Sequence, residues 1–160
     1  MIVGLAEALE SARKNRIKES RRQKILRDYF IAGVIKRVPK VILNGSAESR
    51  LPNNVNVTIL DVEGESMVLK LDALGISAST GSACNSKSLE PSYVLSALGL
   101  PREVSHGSLR FTLGKETVKK DIDYVLKVLP KIVAELRAMS PVRIKLKIKN
   151  EKGKTIPISS

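Results

Sequence analysis

Between Ile2 and Val38 the chain carries no proline, and its apolar residues recur at helical spacing: Leu5, Leu9 and Ile17, then Ile25, Leu26, Tyr29, Phe30 and Val34. That spacing predicts one long helix, or two in line, over residues 2–38. The centre at residues 13–22 is polar, and Pro39 is the stop. With 160 residues in all, the rest of the chain is one ordinary domain with at most a flexible extension. Its apolar fraction of 42% suffices for a core, and with 3% aromatics and no Trp that core must be aliphatic. No run of about 18 apolar residues exists to span a membrane. Residues 1–10 lack the basic lead and the small-residue cleavage site of a signal peptide. One cysteine excludes an internal disulfide, and one histidine leaves no set of metal ligands, so no metal is expected. Reducing cytoplasm is the expected location.

The net charge of +12 raises the question of a nucleic-acid partner. Residues 1–50 hold twelve Lys and Arg against five acids, residues 51–142 ten against ten, and residues 143–160 six against one. The basic character sits in the two flanks, which suits a globular unit with solvated ends. Base stacking needs exposed aromatics, and the chain has five in all. A basic module that binds nucleic acid or an acidic protein therefore stays as the alternative reading. Its signature would be salt-sensitive binding that survives loss of the cysteine.

Residues 40–43 predict a short strand, stopped by the Asn44-Gly45 turn signal. Residues 54–60 alternate as a strand does, with Val55, Val57 and Ile59 on one face. Residues 64–74 predict a helix closed by Gly75, and residues 76–79 a short strand. Pro91 opens a helix over residues 91–98, and residues 108–113 alternate again. Residues 117–139 predict a long amphipathic helix with Val118, Ile122, Val125, Leu126, Leu129, Ile132, Val133 and Leu136 inward, Thr117 as its N-cap and a kink at Pro130. In the tail, Val142, Ile144, Leu146 and Ile148 alternate with Arg143, Lys145, Lys147 and Lys149, the pattern of a lysine-guarded edge strand. Short strands interleaved with helices make the fold class α/β or α+β.

Cys84 lies in S-T-G-S-A-C-N-S-K-S, residues 79–88, a run too small and polar to hold a core. A lone cysteine is commonly a small buried hydrophobe. Here only Ala83 is apolar nearby, while Lys87 and the amides of the helix after Pro91 are placed to lower a thiol pKa. On the residues alone the buried and the reactive readings stand level.

The run S-T-G-S-A-C-N-S-K-S-L-E-P-S-Y-V-L-S-A-L-G-L, residues 79–100, resembles the active-site loop and following helix of cysteine desulfurases of the NifS/IscS-like branch. L-P-N-N-V-N-V-T (51–58) and D-V-E-G-E-S (61–66) resemble segments upstream of that loop. H-G-S-L-R-F-T-L-G (106–114) and D-I-D-Y (121–124) resemble segments downstream, and I-V-G-L-A-E-A-L-E (2–10) the helix joining the two parts of such enzymes. The resemblance implies the C-terminal small domain of a pyridoxal-phosphate-dependent transferase of the class V aminotransferase type. It would divide the chain into a linking helix at 1–38, the small domain at 39–141 and a basic tail at 142–160. It implies Cys84 as the nucleophile that takes sulfur from L-cysteine as a persulfide and leaves L-alanine. It implies Arg110 as the residue holding the substrate carboxylate, where a planar guanidinium grips two oxygens at once. The other reading of Arg110 is a strand residue pointing to solvent. His106, the only histidine, matches no cofactor-stacking position and is assigned no catalytic role; Asn53 and Asn54 are read as strand-start hydrogen bonders.

In the family the Schiff-base lysine follows a histidine in a larger N-terminal domain. Here Gly107 follows His106, and no glycine-rich phosphate cradle is present. The expectation is that pyridoxal phosphate is bound by a missing domain or a partner chain and not by this chain alone. The chain would then be half of a split enzyme, a piece of a longer one, or a sulfur relay. Its apolar helix stripe of Leu26, Tyr29, Phe30 and Val34 would be partly uncovered, favouring a partner or self-association. The family also implies L-cysteine as substrate and a sulfur acceptor such as an iron–sulfur scaffold protein or a carrier for tRNA thiolation.

Overall fold

The computed structural model describes residues 2–80 and 92–140. The expectations for Cys84 and Lys87, for Pro91 and for the alternating tail at 142–149 fall outside the described residues. Helix α1 covers Ile2–Arg37 without a break. Strand β1 (Val41–Leu43), strand β2 (Asn54–Ile59) and helix α2 (Gly64–Asp72) follow. After the loop come the short helices α3 (Tyr93–Ala97) and α4 (Arg102–Ser105), strand β3 (Ser108–Thr112) and helix α5 (Lys119–Met139). The three strands form one antiparallel sheet in the order β1-β2-β3, so the described residues have an α+β fold.

Alternation along β2 turns Val55, Val57 and Ile59 to one face, where β3 adds Leu109 and Phe111. Helices cover that face: Phe30, Ile31 and Val34 from α1, Met67 and Leu71 from α2, Ile122, Leu126, Leu129 and Val133 from α5. Phe30 meets Phe111 edge to face with ring centroids 5.1 Å apart. The opposite face is only partly covered. Leu95, Leu100 and Val104 from α3, α4 and their connection pack on Ile42 and Leu60, and the rest of the face is polar.

The structure corrects several expectations. Of the stripe expected to be partly uncovered, Phe30 and Val34 are buried, while Leu26 and Tyr29 are half-buried and pack against the core. The reason is α5, which lies along α1 and takes up that stripe. The most exposed apolar residues of α1 are Ile2, Val3, Leu5, Leu9, Ile17 and Ile25, all N-terminal to its buried residues. Residues 76–79 form no strand beyond a single bridge at Ser79. The N-cap of α5 is Val118 and not Thr117; Asp121 accepts the Val118 amide at 2.9 Å, while the Thr117 hydroxyl accepts the Gly114 amide at 2.9 Å. Helix α5 continues through Pro130. Helix α4 was not foreseen, since four residues carry too little periodicity to be read.

Two charged side chains are built into the interior, Asp61, which pairs with Lys40, and Arg27. Arg27 is 2% exposed, and its guanidinium donates to the Leu51 carbonyl at 3.1 Å, the Arg50 carbonyl at 3.3 Å and the Asp28 carboxylate at 2.7 Å. It ties α1 to the connection between β1 and β2. A buried guanidinium is tolerable only with its donors engaged in this way.

Candidate functional site

Arg110 stands at the middle of β3, opposite Asn56 of β2, with its side chain exposed on the partly covered sheet face. On its other side Arg110 pairs with Ser79. The Ser79 amide donates to the Arg110 carbonyl at 3.0 Å, and the Arg110 amide donates to the Ser79 carbonyl at 2.7 Å. Ser79 and Thr80 are the last described residues before the segment that holds Cys84. That segment rejoins the described chain at Ser92, the N-cap of α3, and Leu95 anchors α3 in the smaller cluster on this same sheet face. One root of the cysteine segment is therefore fixed to the sheet edge beside Arg110, and the other packs on the face that carries the Arg110 side chain.

A polar row crosses this face. Antiparallel pairing places Asn56 opposite Arg110, and the Asn44 amide donates to the Asn56 carbonyl at 3.0 Å, extending the row to the end of β1. The Thr58 hydroxyl donates to Asn44 Oδ1 at 3.0 Å, and Asn44 Nδ2 donates to Asn56 Oδ1 at 2.8 Å. Thr58 and Asn44 are buried, while Asn56 is half-buried. Sequence reasoning missed this row because the alternation was read for its apolar members. The same alternation puts Asn54, Asn56 and Thr58 on the other face, which was the available signal.

The loop between β1 and β2 that carries this row is held by two guanidinium groups. Arg50 donates to the Asn44 carbonyl at 2.7 Å and the Ser46 carbonyl at 2.6 Å. Burial, and then repulsion from Arg27, hold the Arg50 pKa below its ordinary value; its Nη1 is buried with no partner among the described residues. Near the middle of α1, Arg22 donates to the carbonyls of Gly114, Lys115 and Thr117 and so braces the β3–α5 connection. Its hydrogen bonds to Glu19 hold that carboxyl below the usual range.

The remaining candidates play structural parts here. His106 closes α4 and is exposed, and its carbonyl accepts the Gly64 amide at 2.8 Å. The α2 N-terminus therefore does not offer the Gly64 amide to an anion. Asn53 uses its carbonyl to accept the Leu113 amide at 2.8 Å, and Asn54 opens β2 opposite Thr112. Among the described residues no three His, Cys, Asp or Glu side chains gather as metal ligands, and no helix is long and apolar enough to cross a membrane.

Residues 1–125 match the family described as aminotransferase class V. The chain is 52% identical over 147 residues to the cysteine desulfurase IscS of Dictyoglomus turgidum, covering 92% of this chain and 37% of that protein. It is 56% identical over 142 residues to the cysteine desulfurase IscS of Methanosarcina thermophila, covering 88% of this chain and 35% of that protein. Among solved structures, a NifS-like protein superposes with a TM-score of 0.73 at 27% identity, covering 84% of this chain and 33% of its own. A NifS-like protein from Rickettsia africae superposes with a TM-score of 0.66 at 24% identity, a likeness of fold. The chain thus spans little more than a third of the curated relatives it matches.

Proposed function

Since the chain belongs to the class V aminotransferase family, we propose that it is the C-terminal, cysteine-bearing part of a cysteine desulfurase. In this reading Cys84 takes the sulfur of L-cysteine as a persulfide and the three-carbon remainder leaves as L-alanine. The observation that carries the reading is the pairing of Ser79 with Arg110. The root of the cysteine segment is stitched by two backbone hydrogen bonds to the one arginine exposed in the sheet. A substrate whose carboxylate rests on Arg110 is then held beside the described root of that segment, and proximity is what a transfer between two sulfurs needs.

The family's cofactor, pyridoxal phosphate, supplies an electron sink when bound. Lys40, Lys70 and Lys119 are held in ion pairs with Asp61, Glu135 and Asp123, and the Gly64 amide at the α2 N-terminus is taken by His106, so these groups are not free to receive its aldehyde or its phosphate. No step is therefore routed through it on this chain. The reading assigns the cofactor to the part of the enzyme beyond these residues, on the same polypeptide or a partner chain, and the persulfide to a sulfur acceptor. The exposed apolar residues Ile2, Leu5 and Leu9 of α1 support such a complement, because in water they gain from being covered.

The test is sulfide release from L-cysteine, in the presence of a thiol reductant, by the chain joined to its cofactor-bearing complement. Cys84→Ala is expected to abolish release while leaving the cofactor absorption intact. Arg110→Lys is expected to raise KM for cysteine at least about tenfold, the loss of a bidentate grip. Retained sulfide release in Cys84→Ala would overturn the nucleophile assignment.

A further inference from the structure

The polar row beside Arg110 has a direction. In the β2–β3 ladder the Ile59 amide donates to the Gly107 carbonyl at 2.9 Å and the Leu113 amide to the Asn53 carbonyl at 2.8 Å. Hydrogen-bonded pairs alternate with non-bonded ones, so Asn56 and Arg110 fall in a non-bonded pair, the kind whose side chains stand closest, with Cα atoms about 4.5 Å apart. Each link of the side-chain relay runs the same way, from the Thr58 hydroxyl to Asn44 Oδ1 and from Asn44 Nδ2 to Asn56 Oδ1. With Oδ1 of Asn56 engaged at its buried end, the carboxamide cannot turn over without breaking that bond. Its Nδ2, with two N–H donors, has no hydrogen-bond partner among the described residues, and it lies on the face that carries the Arg110 side chain.

We propose that Asn56 is a second donor to the carboxylate that Arg110 receives, its carboxamide held donor-outward by the buried Thr58–Asn44 relay. This rests on the reading of Arg110 as the carboxylate site. A guanidinium alone accepts a carboxylate in more than one orientation. A neutral amide donor at its side selects one, and so fixes where the substrate's sulfur points. Asn56 is thereby a binding residue, while Asn44 and Thr58 are positioning residues that act through it.

The test is steady-state kinetics of the complete enzyme with L-cysteine. Asn56→Asp keeps the shape and the bond from Asn44 but sets an acceptor and a negative charge beside Arg110. It is expected to raise KM more than about tenfold with kcat changed less than about threefold. Thr58→Val leaves Asn56 in place but removes the first link of the relay. It is expected to raise KM two- to threefold, on the order of one weakened hydrogen bond, and a purely structural row would leave KM unmoved in any variant whose unfolding midpoint is preserved. Arg110→Lys is the control. If Arg110→Lys raises KM and both Asn56→Asp and Thr58→Val leave it unchanged, Asn56 is no ligand and the Arg110 reading stands. If Arg110→Lys leaves KM unchanged, the Arg110 reading fails and the proposal falls with it. Should Asn56→Asp fail to fold, Thr58→Val decides.

Discussion

Replacing Gly107 by alanine would place a methyl carbon 2.0 Å from the Ile59 carbonyl oxygen and 2.9 Å from the Val62 carbonyl oxygen. Both are backbone atoms and neither can rotate aside. Relief needs β2 and the chain at Gly107 to part by roughly 1 Å or more, since ordinary contacts lie near 3.5 Å. Two hydrogen bonds hold that point, from the Ile59 amide to the Gly107 carbonyl at 2.9 Å and from the Gly64 amide to the His106 carbonyl at 2.8 Å. Losing one costs about 1 kcal/mol, and residual overpacking adds about 1–3 kcal/mol. The stiffer unfolded chain returns about 0.4–1 kcal/mol. The expected net loss is about 1–3.5 kcal/mol. Urea unfolding followed by far-ultraviolet circular dichroism measures it, with Gly4→Ala as the comparison. Gly4 has nothing within 4 Å of the added carbon, so there helix propensity alone acts and stability should hold or rise by up to about 1 kcal/mol. A loss under about 0.5 kcal/mol for Gly107→Ala would refute the close approach of β2 and β3 and, with it, the register that sets Asn56 opposite Arg110.

Two further outcomes follow from the charged residues. Arg27→Met keeps most of the buried volume but leaves the Leu51 and Arg50 carbonyls without their donor, so urea unfolding should show a loss of about 2–4 kcal/mol. The Asp123 carboxyl is held below its usual range by Lys119 and then Tyr29. A carboxyl depressed in the folded state stabilises above its unfolded value, near about 3.9, and that contribution is lost as pH falls through the folded value. Asp123→Asn should therefore lose less stability than the parent between about pH 4 and pH 2, in acid titrations followed by circular dichroism. The difference should shrink in high salt, because the pair lies at the surface.

What could be read before the structure follows a physical line. Val55, Val57 and Ile59, and the stripe of α5 from Ile122 to Leu136, were legible because each apolar residue repeats at the period of its element, and they enter the core or pack against it, whereas Val118, at the head of that stripe, is the helix N-cap and is exposed. The stripe of α1 was legible as a helix but not as to its cover. Periodicity marks the apolar side of a helix, whereas what lies on that side depends on α5, about ninety residues further on. Arg27 was invisible for a related reason. A charged residue on a helix reads as solvated, and only the return of the β1–β2 connection across it supplies the carbonyls that make its burial tolerable.

The candidate site shows the same division more sharply. Arg110 could be marked through the resemblance, but its partner Asn56 lies over fifty residues earlier, in a strand whose alternation marks its apolar face and leaves the other face without an assignment. An alternating strand has two faces, and a polar face that meets another polar face across a ladder is a position for chemistry as readily as for water. On β2 the distinction lies in burial. Thr58 and Asn44 are buried, so their side-chain hydrogen bonds run in a fixed direction and transmit that direction to Asn56. In a solvated row the same residues would exchange partners with water and present no fixed donor. The small cluster of Ile42, Leu60, Leu95, Leu100 and Val104 belongs to that same sheet face. By burying one end of the row, these aliphatic contacts give the exposed end its polarity. The substitution that most directly probes that link is therefore Leu95→Ala: it changes neither Asn56 nor Arg110 itself, and it should weaken carboxylate binding through the relay as well as cost about 2–4 kcal/mol of stability, seen as a KM rise measured well below the unfolding midpoint.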